Sequence, residues 1–390
     1  MSQALTETQT FNWLLADFVR NTDGVREAVA VSSDGLLMAL SNGLDRAGAE
    51  QLAAIVSGIV ALSRSASRHY DFDGLNLVMI EMRRGFLLIS VLEGGSCLTF
   101  ASGQAAITAL LMAVLRPGDT VVIPSDGYYS VRSFASTILS ELDIHVIEAP
   151  TSGPYPSFAG VRLVLLESPA NPGLELVDIS AVATAAHAAG ALVAVDNTTA
   201  TPLGQTPLSL GADVVVASGT KAISGHSDLL LGYVVTREQP LLHKMSEWRK
   251  LAGGVPGVFE CWLARRSMST LALRLRQQSA NAAALVPVLR AHPLVSGVRW
   301  PGESPFAAQL RIVPGLVSFE LPSATHVAAF LNAATLVAAA TSFGGVHTTA
   351  DRRHQWGDSV SPSFVRLSCG IEDTVDLVAD VEAALAAASV

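Results

Sequence analysis

The sequence predicts an α/β protein in which a small α/β domain precedes a larger, mostly parallel sheet and a smaller C-terminal α+β region. Three observations favour this architecture. Helical patterns alternate with hairpins in the first 95 residues, continuous apolar runs then alternate with helical stretches, and a smaller mixed region closes the chain. Short apolar strands separated by helices are typical of a parallel sheet that is covered on both faces. We therefore predict three domains, at residues 1–95, 96–255 and 256–390.

The first 95 residues predict the order helix, hairpin, helix, hairpin. Apolar side chains recur at helical spacing from Phe11 to Val19, which is typical of an amphipathic helix. Asp45 can cap the second helix. Pairs of short apolar runs predict the two hairpins, 28–31 with 36–40 around Ser32-Ser-Asp-Gly35 and 75–80 with 86–91 around Arg83-Arg-Gly85.

From about residue 96 the sequence predicts the strands of the larger sheet. Its apolar runs are 98–100, 120–123, 162–166, 192–195, 213–217 and 232–235. We expect Asp178 to cap the start of an intervening helix and Gly190 to mark its C-terminal end. A long helical stretch is expected from residue 258 to about Leu289. The smaller region then predicts strands near 317–321 and 365–368 and a closing helix from Asp373.

Composition restricts the class of protein. Of the 390 residues, 50% are hydrophobic and 15% are charged, which is typical of a globular chain. The net charge of −9 argues against a nucleic-acid or anionic-membrane partner. Cys97, Cys261 and Cys369 lie far apart and form no C-x-x-C pair, so neither a metal site nor a disulfide framework is predicted. The polar N-terminus and the absence of an 18-residue apolar run predict a cytoplasmic protein.

Lys221 is the most informative single residue. The chain has three lysines, and this one follows the apolar run Val214-Val-Val-Ala217. Lysine is strongly hydrated, so this position is costly unless the amine has a further use. One such use is a Schiff base with a carbonyl cofactor, which a desolvated amine of lowered pKa favours. The alternative is a lysine that snorkels to solvent at a strand end.

Asp196 ends the strand that precedes the Lys221 strand. In an open parallel sheet, ligands bind at the carboxyl ends of the strands. An acid and a lysine at neighbouring strand ends suggest a pyridoxal phosphate (PLP) site. There the aspartate would keep the pyridine nitrogen protonated and the lysine would hold the aldehyde. Taken alone, Asp196 is explained equally well as a helix cap.

A PLP site also requires groups that hold the phosphate and the ring. Ser102-Gly103-Gln104 lies between a strand and a helix, where free amides and the helix dipole favour a phosphate. Ser218 and Thr220 come just before Lys221 and offer hydroxyl donors to the same group. Tyr128 can stack on the ring and carry a proton, although anchoring of its loop is an equally good explanation.

Eight motifs in the second region form an ordered set. They are Leu92-Glu-Gly-Gly95, Ser102-Gly-Gln-Ala105, Arg116-Pro-Gly-Asp119, Glu167-Ser-Pro-Ala-Asn-Pro172, Val195-Asp-Asn197, Ser218-Gly-Thr-Lys-Ala-Ile-Ser-Gly-His-Ser-Asp228, Ser342-Phe-Gly-Gly-Val346 and Arg366-Leu-Ser-Cys-Gly-Ile-Glu-Asp373. Over about 92–390 the chain resembles the Cys/Met-metabolism PLP-dependent enzymes, the cystathionine γ-lyase and γ-synthase group of fold-type I. The resemblance implies that fold, PLP as cofactor and a homo-oligomer, a dimer or tetramer.

The resemblance also implies roles for individual residues. The implied catalytic residues are Lys221, which forms the Schiff base, and Tyr128, which stacks on the ring. The implied cofactor contacts are Gly103, Gln104, Ser218 and Thr220 at the phosphate, Asn171 beside the ring and Asp196 at the pyridine nitrogen. Ser342 and Arg366 would bind the substrate carboxylate, a role that suits the planar guanidinium. The implied reaction is β- or γ-elimination or replacement on a sulfur-containing or O-activated amino acid, and the lysine motif does not separate a lyase from a synthase.

The first region carries a different resemblance. Phe11-Asn-Trp-Leu-Leu15, Ala30-Val-Ser-Ser-Asp-Gly-Leu-Leu37, Gly43-Leu-Asp-Arg46 and Glu81-Met-Arg-Arg-Gly-Phe86 resemble the Roadblock/LC7 family over about 1–95. The resemblance implies a small non-enzymatic module that dimerises and often serves small GTPases. Ser96–Phe100 and Gln104–Val114 could also fill the places of that family's last strand and helix.

The chain departs from the PLP family in two places, and the first departure supports a competing hypothesis. A Tyr-x-Arg pair that completes the neighbouring subunit's phosphate site is expected before Leu92, yet residues 1–95 contain none, because Tyr70 is followed by Asp71-Phe72. His347 also stands where many γ-lyases carry a glutamate, which is a hypothesis for altered substrate choice. The chain could therefore be a regulatory or scaffold protein whose PLP half is degenerate. A third hypothesis is a gene rearrangement across Leu92-Glu-Gly-Gly95.

Overall fold

The computed structural model describes residues 7–22, 25–31, 36–43, 45–69, 77–82, 85–90 and 96–389. The chain separates into two compact units, Met1–Gly94 and Gly95–Val390. Among the described helices, none is long and apolar enough to span a membrane. The predicted turn at Ser32–Gly35, Arg83-Arg84 and Tyr70 lie outside the described residues.

The first unit has the predicted order of elements. These are α1 (Glu7–Asn21), β1 (Val29–Val31), β2 (Leu37–Leu40), α2 (Arg46–His69), β3 (Leu77–Met82) and β4 (Gly85–Ser90). β1 pairs with β2 and β3 pairs with β4, both antiparallel. Asp45 caps α2, since its Oδ1 accepts the Gly48 N–H at 2.8 Å. Asn12 joins α1 to β2 by accepting the Leu40 N–H at 2.8 Å.

The second unit contains the larger sheet. Its strands are β5 (Ser96–Phe100), β6 (Thr120–Pro124), β7 (His145–Ala149), β8 (Val161–Glu167), β9 (Leu192–Asp196), β10 (Val214–Ser218) and β11 (Gly232–Thr236). In the described chain their spatial order is β5-β11-β10-β9-β8-β6-β7. β10, β9, β8, β6 and β7 run parallel, and β11 is antiparallel to both of its neighbours. β5 therefore belongs to this sheet.

Helices cover both faces of the sheet, as a continuous apolar strand pattern requires. They are α3 (Gly103–Val114), α4 (Tyr129–Phe134, continued by the π-turn Ala135–Leu139), α5 (Ile179–Ala188), α6 (Thr201–Gly204), α7 (Gln239–Leu251), α8 (Val258–Met268) and α9 (Leu271–Ala291). Successive strand residues point to opposite faces. Ala194 accordingly packs in the cluster that contains α3, whereas Val193 and Val195 pack in the cluster that contains α5.

A second sheet forms the C-terminal part of this unit. The elements after α9 are β12 (Ser296–Arg299), β13 (Leu316–Glu320), α10 (Ala324–Ala333), β14 (Ala338–Ala339), β15 (Thr349–Arg352), β16 (Phe364–Ser368) and α11 (Thr374–Ala387). The strand order is β12-β13-β16-β15-β14. β13 and β16 are the strands predicted near 317–321 and 365–368, and Asp373 caps α11 by accepting the Val375 N–H at 2.9 Å.

The expected single helical stretch from 258 to about Leu289 is wrong in one respect. The structure ends α8 at Met268 and begins α9 at Leu271. Arg274 explains the break, because its Nη2 donates to the Ser267 carbonyl at 3.0 Å and its Nε donates to Thr270 Oγ1 at 3.1 Å. The Ser267 carbonyl also accepts the Thr270 N–H at 3.2 Å, so it is paired although the helix stops there.

Candidate active site

The structure brings the two most informative sequence residues to the same edge of the larger sheet. Asp196 is the last residue of β9 and is the Cα partner of Val216 on parallel β10. Lys221 follows the end of β10 by three residues. Both therefore lie at the carboxyl ends of neighbouring parallel strands, where open α/β sheets bind ligands.

The Lys221 amine is a desolvated group with a polar partner. Its Nζ donates to Ser342 Oγ at 3.1 Å and lies 5.2 Å from the centre of the Phe343 ring. Burial, with smaller contributions from the guanidinium groups of Arg366 and Arg353, lowers the pKa of Lys221 to about 8. A larger fraction of this amine is therefore neutral near pH 7 than of an ordinary lysine, which makes it a better nucleophile.

Arg274 fixes the backbone that follows Lys221. This buried side chain of α9 donates from Nη1 to the Ala222 carbonyl at 2.6 Å and from Nη2 to the Ile223 carbonyl at 3.3 Å. Gly225, at φ +71°, leaves room for it, since a Cβ there would lie 2.0 Å from Arg274 Nη1. Sequence reasoning missed Arg274. An arginine on the apolar side of a predicted helix could have indicated it, because buried arginines need partners.

The same face of α9 fixes two further loops. Gln278 Nε2 donates to the Gly345 carbonyl at 2.7 Å, and Asn281 Nδ2 donates to the Gly370 carbonyl at 3.1 Å. With Arg274, these residues follow the i, i+4, i+7 spacing of one helix face. One buried polar face thus holds the loop after Lys221, the loop after Ser342 and the end of β16.

Asp196 is suited to a cationic partner. The side chain is buried, and its Oδ1 accepts the Thr198 N–H at 2.9 Å. Burial raises the pKa of Asp196, while the hydrogen bonds from Thr198 oppose that rise. A buried carboxylate needs a positive partner to stay ionised, and the protonated ring nitrogen of PLP would supply one.

The start of α3 forms a close backbone cradle. Gly103 begins the helix, and a Cβ on it would lie 2.8 Å from the Ser218 Cβ, so glycine lets the two segments approach. Gln104 Oε1 is buried and has no hydrogen-bond partner in the described part of the chain. A phosphate accepts hydrogen bonds, so the N–H groups at the start of α3 and the Gln104 NH₂ group, rather than its Oε1, are the donors that fit it. These residues therefore fit the phosphate end of PLP.

Thr220 has other partners in this structure. Its hydroxyl donates to the Leu231 carbonyl at 3.2 Å and accepts the Leu231 N–H at 2.9 Å. The predicted phosphate contact of Thr220 stays a prediction, and it would require the hydroxyl to leave the Leu231 carbonyl. Ser218, two residues earlier at the end of β10, lies directly against Gly103.

Tyr128 and Asn171 meet at a carboxylate that was not singled out from the sequence. Glu167 Oε2 accepts the Tyr128 N–H at 2.7 Å, and its Oε1 accepts the Asn171 N–H at 2.8 Å. Burial raises the pKa of Glu167, and the neighbouring Asp196 raises it further. Burial also raises the pKa of the Tyr128 phenol, so this group is protonated near neutral pH.

Arg366 presents an unused donor. The side chain is 2% exposed, its Nη2 donates to the Thr341 carbonyl at 2.6 Å and its Nη1 donates to Asn171 Oδ1. Its Nε is buried and has no partner among the described residues. Burial and the Arg353 guanidinium together lower the pKa of Arg366 to about 9, although Asp351, Asp358 and Glu167 oppose the shift. A substrate carboxylate would satisfy the Nε donor and oppose this loss of charge.

A cavity of about 600 Å³ lies next to these groups. Thr220, Ser342, Asp228 and Glu260 contribute to its lining, and a space of this size accommodates a small organic ligand. His347 is exposed, and the structure does not bring it into this lining, so a role in substrate choice stays a hypothesis.

Comparisons with known proteins identify both regions. The family of Cys/Met metabolism PLP-dependent enzymes matches residues 87–386, and the Roadblock/LC7 domain matches residues 11–102. A putative cystathionine gamma-lyase of Streptomyces coelicolor is 48% identical over 301 residues, which is 75% of this chain and 76% of the relative. The cystathionine gamma-synthase of Mycobacterium tuberculosis is 38% identical over 317 residues, 76% of this chain and 82% of the relative.

A solved structure of a similar protein has the same fold over most of this chain. The cystathionine gamma synthase from Xanthomonas oryzae pv. oryzae superimposes with a TM-score of 0.72 at 34% identity, covering 75% of this chain and 81% of the other. The chain belongs to the Cys/Met metabolism PLP-dependent enzymes. The predicted family, fold-type I architecture, enzyme class and PLP cofactor are confirmed, as is the Roadblock/LC7 resemblance. As a member of this enzyme family, the protein acts on an amino-acid substrate.

Proposed function

We propose that this PLP-dependent enzyme is a carbon–sulfur lyase that acts by γ-elimination on cystathionine or a closely similar amino acid. The observation that carries the proposal is the Lys221 amine, with its pKa near 8, held by Ser342 at the sheet edge that also carries buried Asp196. The 48% identity to a putative cystathionine gamma-lyase supports the lyase over the synthase.

Each site residue has a definite task in this proposal. Arg366 binds the substrate carboxylate through the Nε that has no partner among the described residues, and Asn171 fixes the same guanidinium from the other side. Asp196 keeps the ring nitrogen protonated, and Gly103, Gln104 and Ser218 hold the phosphate. When bound, PLP supplies an electron sink for the substrate Cα.

Proton transfer falls to the lysine and the tyrosine. Lys221, with its pKa near 8, can both remove and return a proton at the substrate Cα near neutral pH. Tyr128 is protonated there because burial raises its pKa, so the phenol serves as an acid for the leaving sulfur. Ser342 stabilises one position of the amine, because its Oγ accepts a hydrogen bond from Lys221 Nζ at 3.1 Å.

We also propose that the enzyme is a cytoplasmic homo-oligomer. Val258, Phe259 and Trp262 of α8 are exposed, and the Phe259 and Trp262 rings stack with centroids 5.9 Å apart. The same segment contributes Glu260 to the cavity that Ser342 lines. A second copy packed on α8 would cover this apolar surface and close the cavity. Light scattering of the parent and of Trp262→Asp tests this, since a charge there should dissociate the oligomer.

A competing function rests on the missing Tyr-x-Arg pair. Loss of charged phosphate contacts weakens cofactor affinity, so a scaffold protein that recruits a small GTPase or a second Roadblock protein through residues 1–95 is the alternative. A PLP titration of the purified protein decides between them. Micromolar or tighter binding supports the enzyme, whereas binding that does not saturate at millimolar PLP supports the scaffold.

Turnover assays test the proposed reaction directly. The purified protein is incubated with PLP and cystathionine, and release of cysteine, ammonia and a 2-oxo acid is measured. A parallel assay supplies cysteine and an O-activated homoserine and measures formation of cystathionine. Faster release in the first assay supports the lyase, and faster formation in the second contradicts it.

A further inference from the structure

Glu167 is a buried carboxylate at the carboxyl end of β8. The side chain is 6% exposed, and Glu167 is the Cα partner of Asp196 on parallel β9. Residues paired in register on neighbouring strands point to the same face of a sheet. The two acids therefore lie side by side at the sheet edge that also carries Lys221.

Both oxygens of Glu167 are used by the backbone of proposed site residues. Oε2 accepts the Tyr128 N–H at 2.7 Å and Oε1 accepts the Asn171 N–H at 2.8 Å. Tyr128 follows β6 and Asn171 follows β8, so one carboxylate ties together the loops of two adjacent strands. A carboxylate suits this arrangement because each of its oxygens accepts hydrogen bonds.

The residues on both sides of the Glu167 carboxylate are closely packed. A Cβ on Gly127 would lie 2.6 Å from Glu167 Oε2, so glycine permits the loop to reach the carboxylate. On the other side, Asn171 accepts a hydrogen bond from Arg366 Nη1. A displacement of Glu167 would therefore move Tyr128 through its backbone N–H. It would also move the Arg366 guanidinium, through Asn171.

We propose that Glu167 is a positioning residue that sets, through these two backbone hydrogen bonds, both the ring of Tyr128 against the cofactor and the Asn171–Arg366 pair that receives the substrate carboxylate. The inference rests on the proposed function. It predicts that a change at Glu167 alters the orientation of bound PLP and the affinity for substrate together, although Glu167 touches neither.

The test compares Glu167→Gln with the parent and with Glu148→Gln, a matched change at an exposed glutamate on β7 of the same sheet. The glutamine retains one acceptor oxygen but turns its NH₂ group towards the other N–H, which places donor against donor. Visible-region circular dichroism of bound PLP reports the orientation of the ring. KM and kcat for cystathionine report substrate binding and turnover separately, and thermal unfolding reports folding.

Glu167→Gln should remain folded, bind PLP, show a weaker visible dichroism signal and have a KM raised about tenfold, the effect of one lost buried hydrogen bond. Glu148→Gln should match the parent. A parental dichroism signal and KM in folded Glu167→Gln would overturn the proposal. If Glu167→Gln does not fold, Glu167→Asp, which keeps the carboxyl group but shortens its reach, is judged by the same criteria.

If neither variant folds, Glu167 is required for folding and the positioning role is overturned. The dichroism comparison needs only bound PLP, so it tests Glu167 independently of the identity of the substrate. Absence of cystathionine turnover in the parent overturns the proposed function and leaves the dichroism result valid.

Discussion

Two buried polar regions of the second unit differ in how completely their groups are paired. On α9, the Arg274 guanidinium donates to three carbonyls and one hydroxyl. At the strand ends, Arg366 keeps a buried Nε without a partner in the described chain, and Gln104 keeps an unpaired oxygen. Buried polar groups in proteins are normally paired.

The difference separates groups that stabilise the fold from groups that await a ligand. Arg274 is satisfied within the chain, and its task is to hold the loop after Lys221. Arg366 Nε is an unpaired donor where the substrate carboxylate is proposed to bind, whereas the unpaired Gln104 Oε1 is an acceptor that a phosphate would not pair. Lys221 is also a group that awaits a ligand. Its lowered pKa reflects burial beside two arginines, with no carboxylate paired to the amine. Substitutions in the two regions should therefore affect different measurements.

The largest expected effect is at Lys221. Lys221→Ala removes the group that holds the cofactor and carries protons at Cα, so turnover should fall by about 10³-fold or more. The free energy of unfolding should change little, because the amine makes one hydrogen bond in the structure. Borohydride reduction followed by mass spectrometry should locate PLP on Lys221 in the parent. The matched control is exposed Lys250→Ala, and an active Lys221→Ala protein would contradict the assignment.

The next largest effect is expected at Arg274, and on stability. Arg274→Met removes the side-chain donor of the Ala222 and Ile223 carbonyls, which should lower the free energy of unfolding by about 3 kcal/mol. Urea unfolding measures this difference. Arg276→Met, at an exposed position of the same helix, is the control. Equal stability of the two variants would show that the α9 face does not hold the Lys221 loop.

Sequence reasoning predicted the larger sheet because its central strands are continuous apolar runs. It missed β7 (His145–Ala149), an edge strand whose residues are mostly exposed and include His145 and Glu148. An edge strand contributes little apolar surface to the core, so its pattern does not differ from that of a loop. The ends of the central strands, which carry the site residues, were predictable. Missing the edge strand β7 therefore did not affect the prediction of the site.

Long-range contacts account for what the sequence did not show at the site. Lys221 and Asp196 were found because their position after an apolar run is a local pattern. Glu167 also ends an apolar run, but its importance depends on Tyr128, 39 residues away, and on Asn171. Arg274 acts on Ala222, 52 residues away. Such partners are set by the packing of strands and helices, which local patterns do not specify.

The smallest expected effect is a shift in the titration of Lys221. The parent amine, with a pKa of about 8, should become reactive as pH rises through 8, because the neutral form is the nucleophile. Arg366 contributes to this lowering by charge repulsion, so Arg366→Met should move the midpoint upwards. Burial is the larger cause and remains in the variant, so the midpoint should stay below the ordinary lysine value of about 10.4.

Pulse acetylation of the PLP-free protein at a series of pH values measures this midpoint by mass spectrometry of the peptide that contains Lys221. Exposed Lys250 provides the internal reference for reagent reactivity, and Arg276→Met controls for the loss of any arginine. An unchanged or lower midpoint in Arg366→Met would show that the arginine does not act on the amine. The unpaired Nε of Arg366 would then be a feature of substrate binding alone, separate from the reactivity of Lys221.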